Sequence, residues 1–285
     1  MRLREIRATG FAWVRLEPSE ADLLRSALAG GRAFFALPES VKAQHVSEDM
    51  NHGYRPMGQE YSVSAERPDL NECFALWSDR SDMVPGADRL GQLLQAWAAY
   101  RAVLDALVKG VVTCLARHFG GACAPAFRRA SYLQMNNYCA APAQRDLLQD
   151  LHEDGHLVTV HYASGPGLEV RLDGRIQPLE AAAESVLLMP GSVMTGLTSG
   201  AIRPLYHQVR DLAVPDRVSL MYFVNPHSTN PSTRGRTSPT RRSICATPSD
   251  RVRWPSGCRM SPTSEKMTVL VVTSGTGRDS TSYAA

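Results

Sequence analysis

The sequence predicts an α+β, mainly β architecture: a helical N-terminal part over residues 1–121, then a jelly-roll or β-sandwich core over 122–225. Three observations carry this. Residues 86–121 place Leu90, Leu93, Leu94, Trp97, Leu104, Leu107, Val108, Val111 and Leu115 at three- and four-residue steps, one apolar stripe along a long helix. After Gly121 the period shortens. SYLQMNNYC, HLVTVHYA, LEVRLDG, SVLLMP, PLYHQVRDLAV and DRVSLMYFV are brief, rich in Val, Leu and Tyr, and separated by Gly, Pro or Asp. Helices first, then short strands at turn-punctuated intervals, is the α+β pattern. Finally, 285 residues at 44% hydrophobic suffice for one sizeable core, and no internal repeat points elsewhere.

Taken in order, 18–36 has helical spacing and so has 39–47, which opens at Pro38, where proline can begin a helix but not continue one. The long stripe follows, with Gly120-Gly121 as its stop. The strand-like runs then reach residue 225. Beyond it the chain changes character: 35 of the 60 residues from 226 to 285 are Ser, Thr, Arg or Pro. Apart from MTVLVV (267–272) this stretch lacks apolar periodicity, so it cannot offset the entropy of ordering. It reads as a flexible tail, with a nucleic-acid arm or a shifted reading frame as alternatives.

The net charge is only +3, and the tail alone carries 9 basic and 3 acidic residues. The other 225 residues hold 22 basic and 25 acidic side chains, which excludes a chain devoted to neutralising phosphate backbone. Arginine outnumbers lysine 28 to 3, a trace of GC-rich coding that says nothing of function. No run approaches the ~18–20 apolar residues of a membrane span, and MRLREIRATGFAWVRL lacks the apolar core of a secretory signal. Six cysteines without a C-x-x-C pair fit reduced thiols. The expectation is a cytoplasmic protein, monomeric by default, with neither membrane nor nucleic acid as partner.

Metal-ligand residue types are densest in QDLHEDGHLVTVHYA. One reading is a zinc peptidase, His152-Glu153-x-x-His156, with both imidazoles on one helix face, Glu153 as base and a later carboxylate such as Glu180 as third ligand. Asp154-Gly155 and the β-rich run that follows oppose a helix there. The other reading pairs His152 with Asp154 on one face of a strand. His207 lies 53 residues beyond Asp154, and Arg217-Val218-Ser219 opens the next strand. Two imidazoles and one carboxylate make a facial triad suited to non-haem Fe(II). Arg217 presents a fork that matches a carboxylate, with the Ser219 hydroxyl beside it. Such an interior suits a dicarboxylate such as 2-oxoglutarate, one end on iron and the other on the arginine.

An ordered series of segments resembles the isopenicillin N synthase-like branch of the Fe(II)/2-oxoglutarate-dependent dioxygenases. Besides H-x-D…H…R-x-S, it comprises GFAWVRL (10–16), AFFALPESVKAQ (33–44), GYRPMGQE (53–60), RPDLNECFAL (67–76), LQMNNYC (133–139), PGLEVRLDGRIQPL (166–179) and LTSGAIRPLYHQVRD (197–211). The resemblance implies a double-stranded β-helix and metal ligands His152, Asp154 and His207. It puts the distal 2-oxoglutarate carboxylate on Arg217 and Ser219 with Tyr138 close by, and Asn136 near the iron-bound end. Fe(II), 2-oxoglutarate and O2 would then be consumed in hydroxylating, desaturating or cyclising a small molecule, with release of succinate and carbon dioxide. A bacterial natural-product intermediate, as in antibiotic biosynthesis or other secondary metabolism, is the expected substrate. Segment 53–62, with Tyr54 and the Tyr61-Ser62 pair, the Asn71-Glu72 region and His156 are expected to line its mouth; His161 is expected to pack or face solvent. Departures are Gln208 in place of the usual arginine, Ile176 near a usual tryptophan and Cys139 in place of a proline. The tail stands where that family braces its barrel, so a catalytically inert jelly-roll module is the remaining alternative.

Overall fold

The computed structural model describes residues 3–78, 80–119, 126–142, 145–182 and 184–227, together with the backbone of 251–252 and 269–270. The expected flexibility of 226–285 therefore lies almost wholly outside the described residues. Within it, Arg251–Val252 pairs antiparallel with Val269–Leu270.

Helices come first, as the periodicity predicts. After α1 (Leu3–Thr9) and β1 (Ala12–Arg15), α2 runs Pro18–Phe35. Pro18 sits at its first position, and Glu17 and Glu20 close a reciprocal capping box. Its buried stripe of Leu24, Leu28, Phe34 and Phe35 packs on α4 (Gly91–His118), where Trp97 Nε1 donates to the Ala27 carbonyl at 3.1 Å. Sequence placed this long helix at 86–121; residues Ala87–Leu90 form a 3₁₀ turn before it. The segment read as a helix over 39–47 divides into α3 (Glu39–Lys42) and one further 3₁₀ turn to His45.

Two sheets follow. The larger orders β1, β9 (Ser185–Pro190), β6 (Val158–Ala163), β11 (Val218–Val224), β4 (Tyr132–Tyr138), β3 (Asn71–Trp77) and β2 (Gly53–Arg55). The smaller orders β5 (Leu147–His152), β10 (His207–Arg210), β7 (Leu168–Leu172) and β8 (Arg175–Pro178). Pairing is antiparallel throughout, and the sheets are the two layers of a jelly roll. A short helix, α5 (Ser192–Leu197), follows β9.

The two faces of the larger sheet differ in chemistry, and this positions the site. Alternate residues Phe74, Leu76, Leu133, Met135, Val158, Val160, Leu188, Leu220 and Tyr222 join the core shared with α2 and α4. The intervening positions, in register across the strands, include the buried polar side chains Gln134, Asn136, Thr159, His161 and Ser219 as well as Cys73, Ala75, Leu187, Met189 and Met221. Polar side chains that are buried yet in strand register need partners or a ligand. On the β7–β10 pair, Gln208 in place of the expected arginine donates to Glu169 at 2.6 Å, and Arg210 takes the second Glu169 oxygen at 2.7 Å.

A second polar cluster, between the helices and β2–β4, is structural. Lys42 meets Glu72 at 2.5 Å and Glu39 at 3.0 Å, while Tyr54 donates to Glu72 and Asn137 donates to Glu72 at 2.9 Å. Removing Glu72 leaves the buried Lys42 ammonium with Glu39 alone and the Asn137 amide without its acceptor. Glu72→Ala is expected to cost about 2–4 kcal/mol in urea unfolding; an unchanged midpoint would show that the cluster contributes nothing.

Candidate metal centre and co-substrate site

The register of β5 and β10 sets His207 opposite His152, so two imidazoles become cross-strand neighbours with ring centroids 4.3 Å apart. Asp154 reaches them differently from the sequence expectation. β5 ends at His152, and Asp154 lies in the turn that leads into β6, so strand parity is not what unites the pair. The turn is held from outside: Ser192 N–H donates to the Asp154 carbonyl at 2.9 Å, and Thr159 Oγ1 donates to Asp154 Oδ2 at 2.6 Å. Asp154 Oδ1 then faces His152 Nε2 at 3.8 Å and His207 Nε2 at 3.9 Å. One ligand atom from each of the three residues lies within 4.8 Å of the others.

Both imidazoles have fixed roles. His152 Nδ1 donates to the Asp150 carbonyl at 2.7 Å and His207 Nδ1 to the Leu205 carbonyl at 3.1 Å, which leaves each Nε2 lone pair directed at Asp154. Burial, reinforced by His152, pushes His207 down to about 4, so its ring is neutral at pH 7 and able to ligate. Burial alone would raise Asp154, yet His207, His152 and His156, with the Thr159 hydroxyl, outweigh it and keep the carboxyl below its ordinary value. Two imidazole nitrogens and one carboxylate oxygen make a group that could hold a divalent metal ion and leave it open positions.

Gly191 is a site residue that sequence reading missed. A Cβ there would stand 2.2 Å from the His156 carbonyl oxygen and 2.6 Å from that of Asp154, both backbone atoms. The glycine lets the turn carrying Asp154 lie against the start of α5; only the PGS after SVLLMP hinted at it. Gly191→Ala is expected to displace that turn and weaken divalent-metal binding about tenfold or more, read by Co(II) titration. Metal affinity equal to wild type would show that the turn is positioned otherwise.

The facing sheet contributes a cation. Arg217 is 2% exposed, immediately before β11. Its Nε donates to the Pro166 carbonyl at 2.8 Å, its guanidinium lies 4.5 Å from the Tyr138 ring centre, and Nη1 reaches Ser219 Oγ at 3.4 Å. Nη2 is buried with no hydrogen-bond partner. Gly167, at φ +109° in a backbone region closed to other residues, shapes the loop that offers Pro166. Asn136 is the cross-strand partner of Ser219, and its Oδ1 accepts from Gln134 at 2.9 Å; the Tyr138 hydroxyl donates to Gln149 at 2.8 Å. A buried guanidinium with one open N–H edge, flanked by a hydroxyl, fits a carboxylate.

The expected mouth residues divide. Tyr54 is 1% exposed and turned to the helical layer, its hydroxyl bound to Glu39 and Glu72, so it does not line this interior. A three-residue strand buried on both faces gives no alternation from which to read that orientation. Ser62 Oγ donates to Asp69 at 2.8 Å, and Tyr61 is half-buried beside it. Asn71 and Gln134 both donate to Glu60, which also takes Arg55 at 2.9 Å; this polar wall was absent from the sequence reading beyond the GYRPMGQE segment. His156 is held by Asn225 Oδ1 at 3.1 Å and Tyr132 at 3.4 Å and packs on Phe223. It is not on the strand of His152, and residues 153–157 are not helical, so the helix required for a zinc peptidase is missing. His161, expected to pack or face solvent, projects from β6 into the interior.

Residues 4–96 match a family model described as the N-terminal region of the non-haem dioxygenase in morphine synthesis. No curated protein sequence matches the chain. Among solved structures, a full-length Neurospora crassa protein in complex with alpha-KG is similar at a TM-score of 0.65 and 20% identity, over 79% of this chain and 78% of that one. JOX2 in complex with 2OG, Fe and JA aligns at 0.66 and 20%, over 80% and 71%. The rice dioxygenase for auxin oxidation aligns at 0.63 and 23%, over 79% and 76%. These likenesses show a shared fold. No helix among the described residues is long and apolar enough to cross a membrane.

Proposed function

We propose that this chain is an Fe(II)/2-oxoglutarate oxygenase that uses His152, Asp154 and His207 to hold Fe(II) and Arg217 to hold 2-oxoglutarate while oxidising a small molecule. The observation that carries the reading is the pairing of chemistries across the two sheets: two imidazole Nε2 atoms aimed at one carboxylate oxygen, and a buried guanidinium edge without a partner. When bound, iron and 2-oxoglutarate supply the oxidising power, with O2 as oxidant and succinate and carbon dioxide as products.

The residues of the chain do the rest. The carbonyls of Asp150 and Leu205 engage Nδ1 of both histidines, which leaves Nε2 of each ring for the metal. Thr159 occupies the second Asp154 oxygen and so limits the carboxylate to one free ligand atom. Arg217 and Ser219 receive the distal carboxylate, and the Tyr138 ring beneath the guanidinium keeps water from that face. Asn136 supports the opposite end. His156, braced by Asn225 and Tyr132, and the Glu60 wall border the space left for substrate.

A small molecule as substrate agrees with the solved relatives, one of which is described with thymine and another with JA. The finer reading, a bacterial natural-product intermediate, rests on the family resemblance. Anaerobic addition of Fe(II) and 2-oxoglutarate is expected to give the weak visible charge-transfer band of a chelated keto acid, and air should then yield succinate. Stoichiometric zinc, with peptide cleavage lost in Glu153→Gln, would overturn the proposal. Binding of both ligands without succinate, whatever substrate is supplied, would point to an inert module. Mass spectrometry of bound molecules and products tests the natural-product reading.

A further inference from the structure

We infer that His161 is a co-substrate-binding residue, donating a ring N–H to 2-oxoglutarate between the metal triad and Arg217; the inference rests on the oxygenase reading above.

Register places it. On β6, Thr159 faces inward, since its hydroxyl holds Asp154, and His161 shares that parity two residues on. Its cross-strand partners are Met221 on β11 and Leu187 on β9, so it sits on the inner face in line with Ser219 and Arg217. The charges it feels come from three separate elements: the Arg217 guanidinium, the His207 imidazole and the Asp154 carboxylate. On β6 it stands between Thr159, which holds Asp154, and Ala163, the cross-strand partner of Ser219.

Its bonding state points to a ligand. His161 is 5% exposed, yet no described residue hydrogen-bonds its ring. The other two histidines of this interior have their Nδ1 atoms committed to carbonyls, and His156 is held by Asn225. Buried polar groups are ordinarily paired, and an imidazole in register on a packed sheet with neither nitrogen engaged needs an explanation. Burial, then Arg217 and His207, push its pKa down to about 3, so it stays neutral at pH 7 and offers one N–H and one lone pair. The nearest unfilled need is an anion on Arg217, and a neutral N–H can donate to its oxygens without adding a second charge beside the guanidinium.

The test is equilibrium binding of 2-oxoglutarate to the anaerobic Fe(II) protein, read from the charge-transfer band, in wild type, His161→Leu and His161→Gln. His161→Leu should weaken 2-oxoglutarate about tenfold, and His161→Gln, whose amide can donate, should recover most of that loss. Co(II) affinity should be unchanged in both. If His161→Leu does not fold, histidine-selective ¹⁵N spectra of the Zn(II)-loaded wild type replace it. The resonance missing in His161→Gln should then move when 2-oxoglutarate is added. Unaltered 2-oxoglutarate affinity in His161→Leu, or an unmoved resonance, overturns the inference. Absence of any band in wild type overturns the parent reading instead.

Discussion

Asp154→Ala is expected to lower Fe(II) affinity by at least two orders of magnitude and to abolish succinate formation, while the protein stays folded. Two imidazoles remain, but they form a weak ligand pair, and the anionic ligand that balances the metal is gone. Loss of groups that merely orient ligands costs roughly 10–100-fold, so loss of a ligand should exceed that. Folding should suffer less. Asp154 carries its own desolvation cost, so removing it relieves a buried charge as well as losing the Thr159 hydrogen bond. The sign with pH follows from its depressed pKa. The carboxylate favours the folded state above its ordinary titration range, near pH 4, and that contribution fades as acid protonates it. The metal-free wild type should therefore lose a stabilising term toward low pH that Asp154→Ala lacks, measurable by urea unfolding at pH 7 and pH 3. Iron titration under argon checks the main effect, and unchanged turnover would refute the ligand assignment. Glu153→Gln, a change outside the His152, Asp154 and His207 group, should leave metal binding intact.

Why Asp154 was legible and its geometry was not is a question of range. H-x-D, a later histidine and R-x-S can be read as residue types at separations. The turn that delivers Asp154 is set by Gly191 and Ser192 at the start of α5, 37 residues further along, and no local pattern encodes that contact. Helices were easier. The stripe of α2 and its opening proline are local signals, and the expected 18–36 became Pro18–Phe35. α4 lost its first residues to a 3₁₀ turn because Gly86, at φ +63°, breaks the helical path before Ala87. On the larger sheet the alternation Leu133-Gln134-Met135-Asn136 was visible in the letters. What it meant was hidden, because the polar face looks inward to a site, not outward to water. The same inversion concealed His161 and the wall built by Glu60.

Arg217→Ala is expected to raise the 2-oxoglutarate requirement about a hundredfold while leaving turnover at saturation largely intact. A charge-assisted, bidentate contact in a dry site accounts for about 2–3 kcal/mol, and every 1.4 kcal/mol is a factor of ten. Arg217→Lys should recover little. An ammonium cannot hold Pro166, lie flat over Tyr138 and present two parallel donors at once. Stability should move the opposite way to affinity. In the ligand-free protein the guanidinium is 2% exposed with Nη2 unpaired, which costs free energy that the Pro166 hydrogen bond and the Tyr138 contact only partly offset. The alanine variant should thus unfold within a few degrees of wild type, or above it, when no 2-oxoglutarate is present. Added 2-oxoglutarate should raise the wild-type Tm and leave that of the variant almost unmoved at the same concentration, because only the wild type binds tightly enough to gain from mass action. Thermal scans with and without 2-oxoglutarate, in the presence of Zn(II) to prevent turnover, separate the two effects. An equal shift in both proteins would place the dicarboxylate anchor elsewhere and leave the buried arginine as a strut between Pro166 and Tyr138.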